Sequence, residues 1–495
     1  MPYGLKEIEL AKLSKVFASN EHIKRVILYG SRAKGNYKLF SDVDITLEGP
    51  ELTLTDLNHL SLAIDDLLLP YQFDISIFHT LKNHDLIDHI QRIGITIFER
   101  ESEWKEYKLG EIISIASGFA YKGEYIGEGD RFLLGMGCVS YKEKFLYSGA
   151  RPYAGDCAER YYAKAGDIVL ATRQQSDNLP ILGMPAIIPE ELKDKKLIVG
   201  ANLYRVINNS DFDNKYLYWL LKTPSYVKHI ASCKTGTTVA MITKADIENF
   251  VFVAPDKQER ERILETISSL DDKIDLLRRE NATLEQMAET LFRQWFVVEA
   301  KEEWEEGKLG DILSVKGGTT PSTKEPSFWD GDIAWTSPRD VTTLNGLYLF
   351  ETEKRITQKG LEQISSGLLP SGTLLMSSRA PVGVLAFAEI PLAINQGYIA
   401  ILDDKGYSKE FIYLWLKTNM EMVHSYSNGS TFMEISKSAF KSLDISIPSK
   451  KEVDCFVQDV NPYFEKIRTN EIQIRTLIQT RDGLLPRLMG GEVKL

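Results

Sequence analysis

The sequence predicts a multidomain chain of mixed α/β and α+β class. A small α/β domain comes first, followed by two α/β heads that are separated and closed by two long helices, paired as an intrachain antiparallel coiled coil. Three observations predict this: a length of 495 residues, an internal repeat that starts at Trp104, and a heptad seam behind each copy. The length suits roughly three ordinary domains. The boundaries fall at 1–103 for the first domain, 104–254 and 301–447 for the heads, and 255–300 and 448–495 for the helices.

The composition, 43% apolar and 26% charged, is that of a soluble globular protein. No run of about eighteen apolar residues is present to span a membrane. The opening MPYGLKEIEL lacks the basic and apolar regions of a secretion signal, so the expectation is a cytoplasmic chain with no membrane partner. Cys138, Cys157, Cys233 and Cys455 lie far apart without ligand spacing, which reads as reduced, structural cysteines and no zinc site. The net charge is -11, and residues 1–103 carry 11 Lys and Arg against 16 Asp and Glu. A nucleic-acid reader with this balance has to gather its cations on one face or borrow a basic partner.

The repeat decides the architecture. WKEYKLG at 104–110 returns as WEEGKLG at 304–310, and the helical YLYWLLKT at 216–223 returns as FIYLWLKT at 411–418. TGTT at 235–238 matches NGST at 428–431, and the alternating FVFVAP ending at Pro255 matches LDISIP ending at Pro448. The distance between copies shortens along the chain, which places insertions and deletions in the middle of each half. Two copies of one scaffold that read different things would differ there.

Behind each proline the apolar residues step by fours and threes. The first seam runs Ile263, Ile267, Leu270, Ile274, Leu277, Asn281, Leu284, Ala288, Leu291; the second runs Phe456, Val460, Tyr463, Ile467, Asn470, Ile474, Leu477, Arg481, Leu484. Each carries one Asn, at different levels, a residue type that costs stability and fixes register. Two amphipathic helices packed on their own halves would show the same seam; the duplication favours pairing with each other. A helix of this length spans about 60 Å at 1.5 Å per residue, a spacer that suits two heads on a divided target.

Residues 1–103 stand outside the repeat. RVILYGSRAKG at 25–35 reads as a buried strand, a Gly30-Ser31 turn and a basic loop; SDVDI at 41–45 reads as the next strand, with Asp42 and Asp44 on one face; FDISIF at 73–78 supplies a third strand carrying Asp74. Three converging carboxylates can hold Mg²⁺ against a triphosphate, with the turn donating to the phosphates. His79, His84 and His89 recur every five residues, a spacing that spreads them around a helix and reads as exposed histidines.

Two resemblances follow. The second half carries KGGTTPS at 316–322, WDGDIAW at 329–335, Arg339, LLMSSRAPVG at 374–383 and NQG at 395–397. It resembles the target-recognition domain of Type I restriction-modification specificity subunits, and with the first copy the resemblance covers residues 104–495. The first copy departs, with SGFA at 117–120 and LATRQQ at 170–175 in the matching places. The resemblance implies a non-catalytic subunit whose heads each read half of an asymmetric double-stranded DNA target. Its helices would dock two adenine-N6 methyltransferase subunits, and motor-nuclease restriction subunits would join; S-adenosylmethionine and ATP belong to those partners. Forked donors and amides suit base edges, which selects Arg173, Gln174, Gln175 and Asn178 in the first head and Arg339, Arg379, Asn395 and Gln396 in the second. Lys234, Thr237, Asn428 and Ser430, around the Gly turns, suit phosphates. Each also reads as an ordinary loop residue or cap.

Residues 8–100, by Gly30-Ser31 followed ten residues later by Asp42-Val-Asp44, resemble the minimal nucleotidyltransferases of the DNA polymerase β superfamily, often antitoxins that transfer AMP. The resemblance implies Asp42, Asp44 and Asp74 as metal ligands, Asp74 also activating the acceptor hydroxyl, and Gly30, Ser31, Arg32 and Lys34 on the nucleotide. Mg²⁺ and ATP would be its cofactors and a toxin-like protein its acceptor. The alternative to a specificity subunit with an added domain is therefore a nucleotidyltransferase, acting on protein or RNA, that a DNA-binding module targets.

Overall fold

In the computed structural model the described residues are all except 1, 39, 50, 101–103, 142, 175–180, 237–238, 380, 428–432 and 494–495. Contacts divide the chain into two units, Met1–Leu109 with Val251–Arg260, and Gly110–Phe250 with Glu261–Leu495. The first unit thus takes in a two-stranded antiparallel ribbon, Lys105–Lys108 with Val251–Ala254, that the sequence boundaries assign to the first head.

The first unit is built on a four-stranded sheet of order β3-β2-β1-β4, with β1 Arg25–Leu28, β2 Val43–Glu48, β3 Phe73–Ile77 and β4 Ile95–Glu99. The β2–β3 pair is parallel and the others antiparallel. Val43, Ile45 and Leu47 are buried on one face with Leu13 and Phe17 of α1 (Glu7–Ser19), so period-two alternation turns Asp42 and Asp44 the other way. The segment after β1 is one helical turn, α2 (Gly30–Ala33), where the sequence suggested an open loop. α3 (Leu54–Asp65) opens on a Thr53/Asp56 capping box, and α4 (His84–Ile93) on an Asn83 cap.

Within the second unit the two heads share one topology. In the first, Ile113–Ser117, Leu203–Asn208, Ile168–Ala171 and Pro185–Ile187 lie side by side in that order; in the second, Ser314–Lys316, Tyr398–Leu402, Leu374–Ser377 and Leu385–Ala388 do the same. A second sheet in each head joins one parallel and one antiparallel neighbour to a central strand, Ile126–Leu134 in the first and Trp329–Thr336 in the second. The repeat read from short sequence matches is therefore a repeat of strand order.

The long helices are Lys257–Arg293 and Lys450–Met489. They run antiparallel: Asp271 meets Arg481 at 2.6 Å, Ile274 and Leu277 pack with Ile474 and Leu477, and Asn281 meets Asn470 at 2.8 Å. The two seam asparagines thus meet, although comparison of the copies placed them at different levels. In the second helix Phe464 and Leu485 are buried in place of the expected Tyr463 and Leu484, while Phe456, Val460, Ile467, Asn470, Ile474 and Arg481 are buried as expected. Cys138 is buried as expected of a structural cysteine, whereas Cys455 is exposed.

Both heads are fastened to the helices by charge. Lys144 of the first head pairs with Asp271 and, at 2.9 Å, with Asp275, while Arg481 spreads its guanidinium over Trp219 at 5.2 Å. Lys222, beside this arginine, has its ammonium pulled down to about 8 by burial and by the Arg481 charge. The matching Lys417 of the second head, with Glu285 and Glu289 at 2.9 and 3.2 Å, is instead held above its ordinary value by those two carboxylates, against burial.

Candidate functional sites

On the first unit, parallel pairing sets Asp44 directly opposite Asp74. Burial, then Asp74 and then Asp42, raise the Asp44 carboxyl above its ordinary value, and Arg32 opposes them. Gly30 closes the floor: its φ is +71°, and an added Cβ would lie 2.1 Å from Asp44 Oδ2. Tyr29, buried at the end of β1, has its hydroxyl raised by burial and by the same carboxylates. The donor set is hard oxygen at close quarters, which suits a divalent cation. Among the described residues no three His, Cys, Asp or Glu side chains are gathered as a ready ligand group, so the fit rests on the Asp44–Asp74 pair with Asp42 near enough to be felt.

Three expected neighbours are placed differently from one another. Ser31 is half-buried in α2 and Lys34 is exposed just after it. Arg32 is 2% exposed, and its guanidinium is given over to the carbonyls of Tyr3, Ser41 and Asp42, between the rings of Tyr37 and Tyr71. It therefore holds the loop that enters Asp42 instead of reaching for phosphate. His89 is the residue the sequence missed. Burial and then the Lys34 and Arg92 cations hold its imidazole below the ordinary value, and the Asp44 carboxylate opposes them. No spacing along the chain signals this placement.

In the heads, equivalent arginines occupy equivalent ladders. Arg173 pairs with Met241, and Met241 exchanges backbone hydrogen bonds of 2.9 and 3.1 Å with Thr235, which leads into the Gly236 turn. Arg379 bridges to Glu434 at the matching place. Lys234 is exposed beside the first turn. Gln174 is buried and accepts the Leu182 N–H at 3.3 Å, so its amide serves the fold. Asn395 likewise is buried and closes its own turn by accepting the Gly397 N–H at 2.8 Å. Gln396 is exposed next to it and accepts from the Thr320 hydroxyl at 2.7 Å. Ser378 N–H donates to Gly397 at 2.8 Å, which brings Arg379 and Gln396 to one end of the sheet. Arg339 is exposed, 3.7 Å from Glu353. Gln175, Asn178, Thr237, Asn428 and Ser430 lie outside the described residues.

No helix of the described residues is long and apolar enough to cross a membrane. The family model described as Type I restriction modification DNA specificity domain matches residues 101–286 and 301–478, and the one described as Polymerase beta, Nucleotidyltransferase matches residues 11–103. The Type I restriction enzyme HindI specificity subunit of Haemophilus influenzae is 26% identical over 483 residues, covering 79% of this chain and 100% of the relative. The MjaIX specificity subunit of Methanocaldococcus jannaschii is 36% identical over 185 residues, 37% of this chain and 43% of that one. A crystal structure of the S subunit of a Type I system from M. genitalium aligns over 79% of this chain and 97% of its own, at 16% identity and a TM-score of 0.46.

Proposed function

Because the chain belongs to the Type I restriction modification DNA specificity family and carries a nucleotidyltransferase domain at its N-terminus, we propose that it selects a bipartite, asymmetric double-stranded DNA target for adenine-N6 methyltransferase and restriction subunits. The observation that carries this reading is the pair of matched edges, Arg173 beside the Gly236 turn and Arg379 at the same ladder position, on two heads held by one antiparallel helix pair. A guanidinium in the major groove takes guanine O6 and N7 together, and Lys234, Thr237, Asn428 and Ser430 would grip phosphates. The net charge of -11 fits a chain that shares the phosphate contacts with its partners. Catalysis, S-adenosylmethionine and the ATP of translocation belong to those partners. Co-purification with a methyltransferase followed by mapping of methylated adenines tests this. A two-part motif, one part of which changes when residues 104–250 are exchanged, is expected; an undivided motif overturns the reading.

The Asp44–Asp74 register supports a second activity in the first unit, AMP transfer from ATP to a hydroxyl of a toxin-like protein or RNA partner, with the α–β phosphoanhydride bond broken and pyrophosphate released. Mg²⁺ on Asp42, Asp44 and Asp74 would supply charge neutralisation for the triphosphate. The chain's own residues do the rest: Gly30 and Ser31 seat the phosphates, Lys34 adds a cation at the rim, and Asp74 takes the proton of the acceptor hydroxyl. Labelled ATP should transfer to a cell-extract acceptor in wild type and not in Asp42→Ala/Asp44→Ala. Absence of transfer in wild type removes this activity and leaves the DNA reading intact.

A further inference from the structure

The two heads touch each other as well as the helices. Glu143 of the first head divides its carboxylate: one oxygen accepts Arg278 Nη1 of the first long helix at 2.7 Å, and the other accepts the side-chain amide of Asn345 in the second head. On either side of this contact the chain is pinned. Lys144 is bound to Asp271 and Asp275, and Asp271 also takes Arg481 of the second helix. Beyond Asn345, the N–H groups of Leu347 and Tyr348 donate to Glu471 of the second helix at 2.6 and 3.0 Å, and Gly346 lies so close that a Cβ there would meet that carboxylate at 2.7 Å. Head, helix, helix and head are thus joined through one polar node near the middle of the helix pair.

Around the node the heads stand apart. A cavity of about 980 Å³ opens beside it, with Tyr141, Phe145 and Tyr147 of the first head facing Arg339 and Thr342 of the second. Across this space Glu143 and Asn345 join the two heads directly.

We propose that the Glu143–Asn345 contact is a head-to-head latch that fixes the separation and angle of the two reading edges. The spacer length of the DNA target is then set by the latch together with the helix pair. This rests on the bipartite-target reading given above. Lengthening a spacer by one base pair moves the half-sites apart by about 3.4 Å and turns them by about a tenth of a turn. A hydrogen bond is lost well within such a displacement, so the latched protein must break it to follow the DNA. Loss of this charge-assisted contact should relax the discrimination against spacers one base pair off by about tenfold.

The test is selection from a random double-stranded DNA library by the full chain in complex with its methyltransferase. Asn345→Ala and Asn345→Asp, the second placing a carboxylate against Glu143, are compared with wild type after thermal melts have established folding. Wild type should enrich two half-motifs at one spacer length, and both variants the same half-motifs at two or more lengths, with discrimination against the neighbouring spacer reduced about tenfold. One unchanged spacer length in all three proteins overturns the latch while leaving the bipartite reading standing. An undivided motif in wild type overturns both.

Discussion

Glu471 offers a test of how the second head is mounted. Its carboxyl is 6% exposed and accepts two backbone N–H groups. The nearby arginines are spent on other carboxylates: Arg468 on Glu389, at 2.8 Å from its Nε, and Arg475 on Glu351 at 3.3 Å. Burial therefore dominates. It lifts the carboxyl from an ordinary 4.5 to about 7, with Glu285 and Glu389 adding repulsion and the two N–H groups opposing it. A group raised in this way binds its proton more tightly in the folded protein. Its contribution is whole below pH 4.5 and is lost as pH climbs through 7. At about 1.36 kcal/mol per pKa unit the loss is roughly 3 kcal/mol. Glu471→Gln keeps an acceptor and removes the titration, so the melting temperature of wild type should fall relative to the variant by on the order of 5 °C between pH 5 and 8. Hydrogen exchange at Leu347 and Tyr348, compared with the variant at each pH, should follow the same curve. Parallel curves for the two proteins across that range would refute the assignment.

Other perturbations separate the remaining parts. Gly30→Ala forces a side chain into a left-handed position and against Asp44; a loss of about 1–2 kcal/mol in thermal stability and loss of nucleotide transfer are expected, whereas Gly35→Ala, equally left-handed but with no atom in reach, should cost similar stability and spare transfer. Asn470→Leu alone should lower the unfolding free energy from denaturant titration by about 1–3 kcal/mol, since it takes from Asn281 Oδ1 the amide that donates to it. Adding Asn281→Leu should recover most of that loss, as apolar replacement of a whole polar pair does. Arg173→Ala and Arg379→Ala should each relax one half-site only, by about 1–3 kcal/mol in competition binding; a change in both half-sites from either variant would mean that the arginines do not read separately.

What the sequence made legible was whatever follows from periodicity. Alternation put Asp42 and Asp44 on the face opposite Val43 and Ile45, and the parallel neighbour then brought Asp74 into register. Heptads announced both long helices, and short matches announced a shared strand order. Legibility failed where a side chain's job is set by backbone groups distant in sequence. Arg32 reads as a phosphate ligand from its motif, yet three carbonyls of its own loops claim it. Gln174 and Asn395 read as base-reading amides, yet both are buried and each accepts a backbone N–H, because such groups must find acceptors. Lining up the copies placed Asn281 and Asn470 at unequal levels, since it compares them head to head, while the helices run in opposite directions. His89 comes within the electrostatic influence of Asp44 because Ile90 seats α4 against Ile27 and Tyr29, a packing choice no spacing rule contains.

The short ribbons have a meaning of their own. Lys105 to Lys108 pairs with Val251 to Ala254 in the same antiparallel sense as Glu305 to Lys308 with Asp444 to Ile447. The chain therefore leaves for each head and returns from it along adjacent strands about 5 Å apart. Each head is in effect a plug with two neighbouring prongs, and the helix that follows each ribbon starts from the same place whatever is plugged in. Exchange of genetic material between those two cut points would replace one head while keeping the ribbon and the start of the helix, and the contacts made through Glu143 and Lys144 would be exchanged with it.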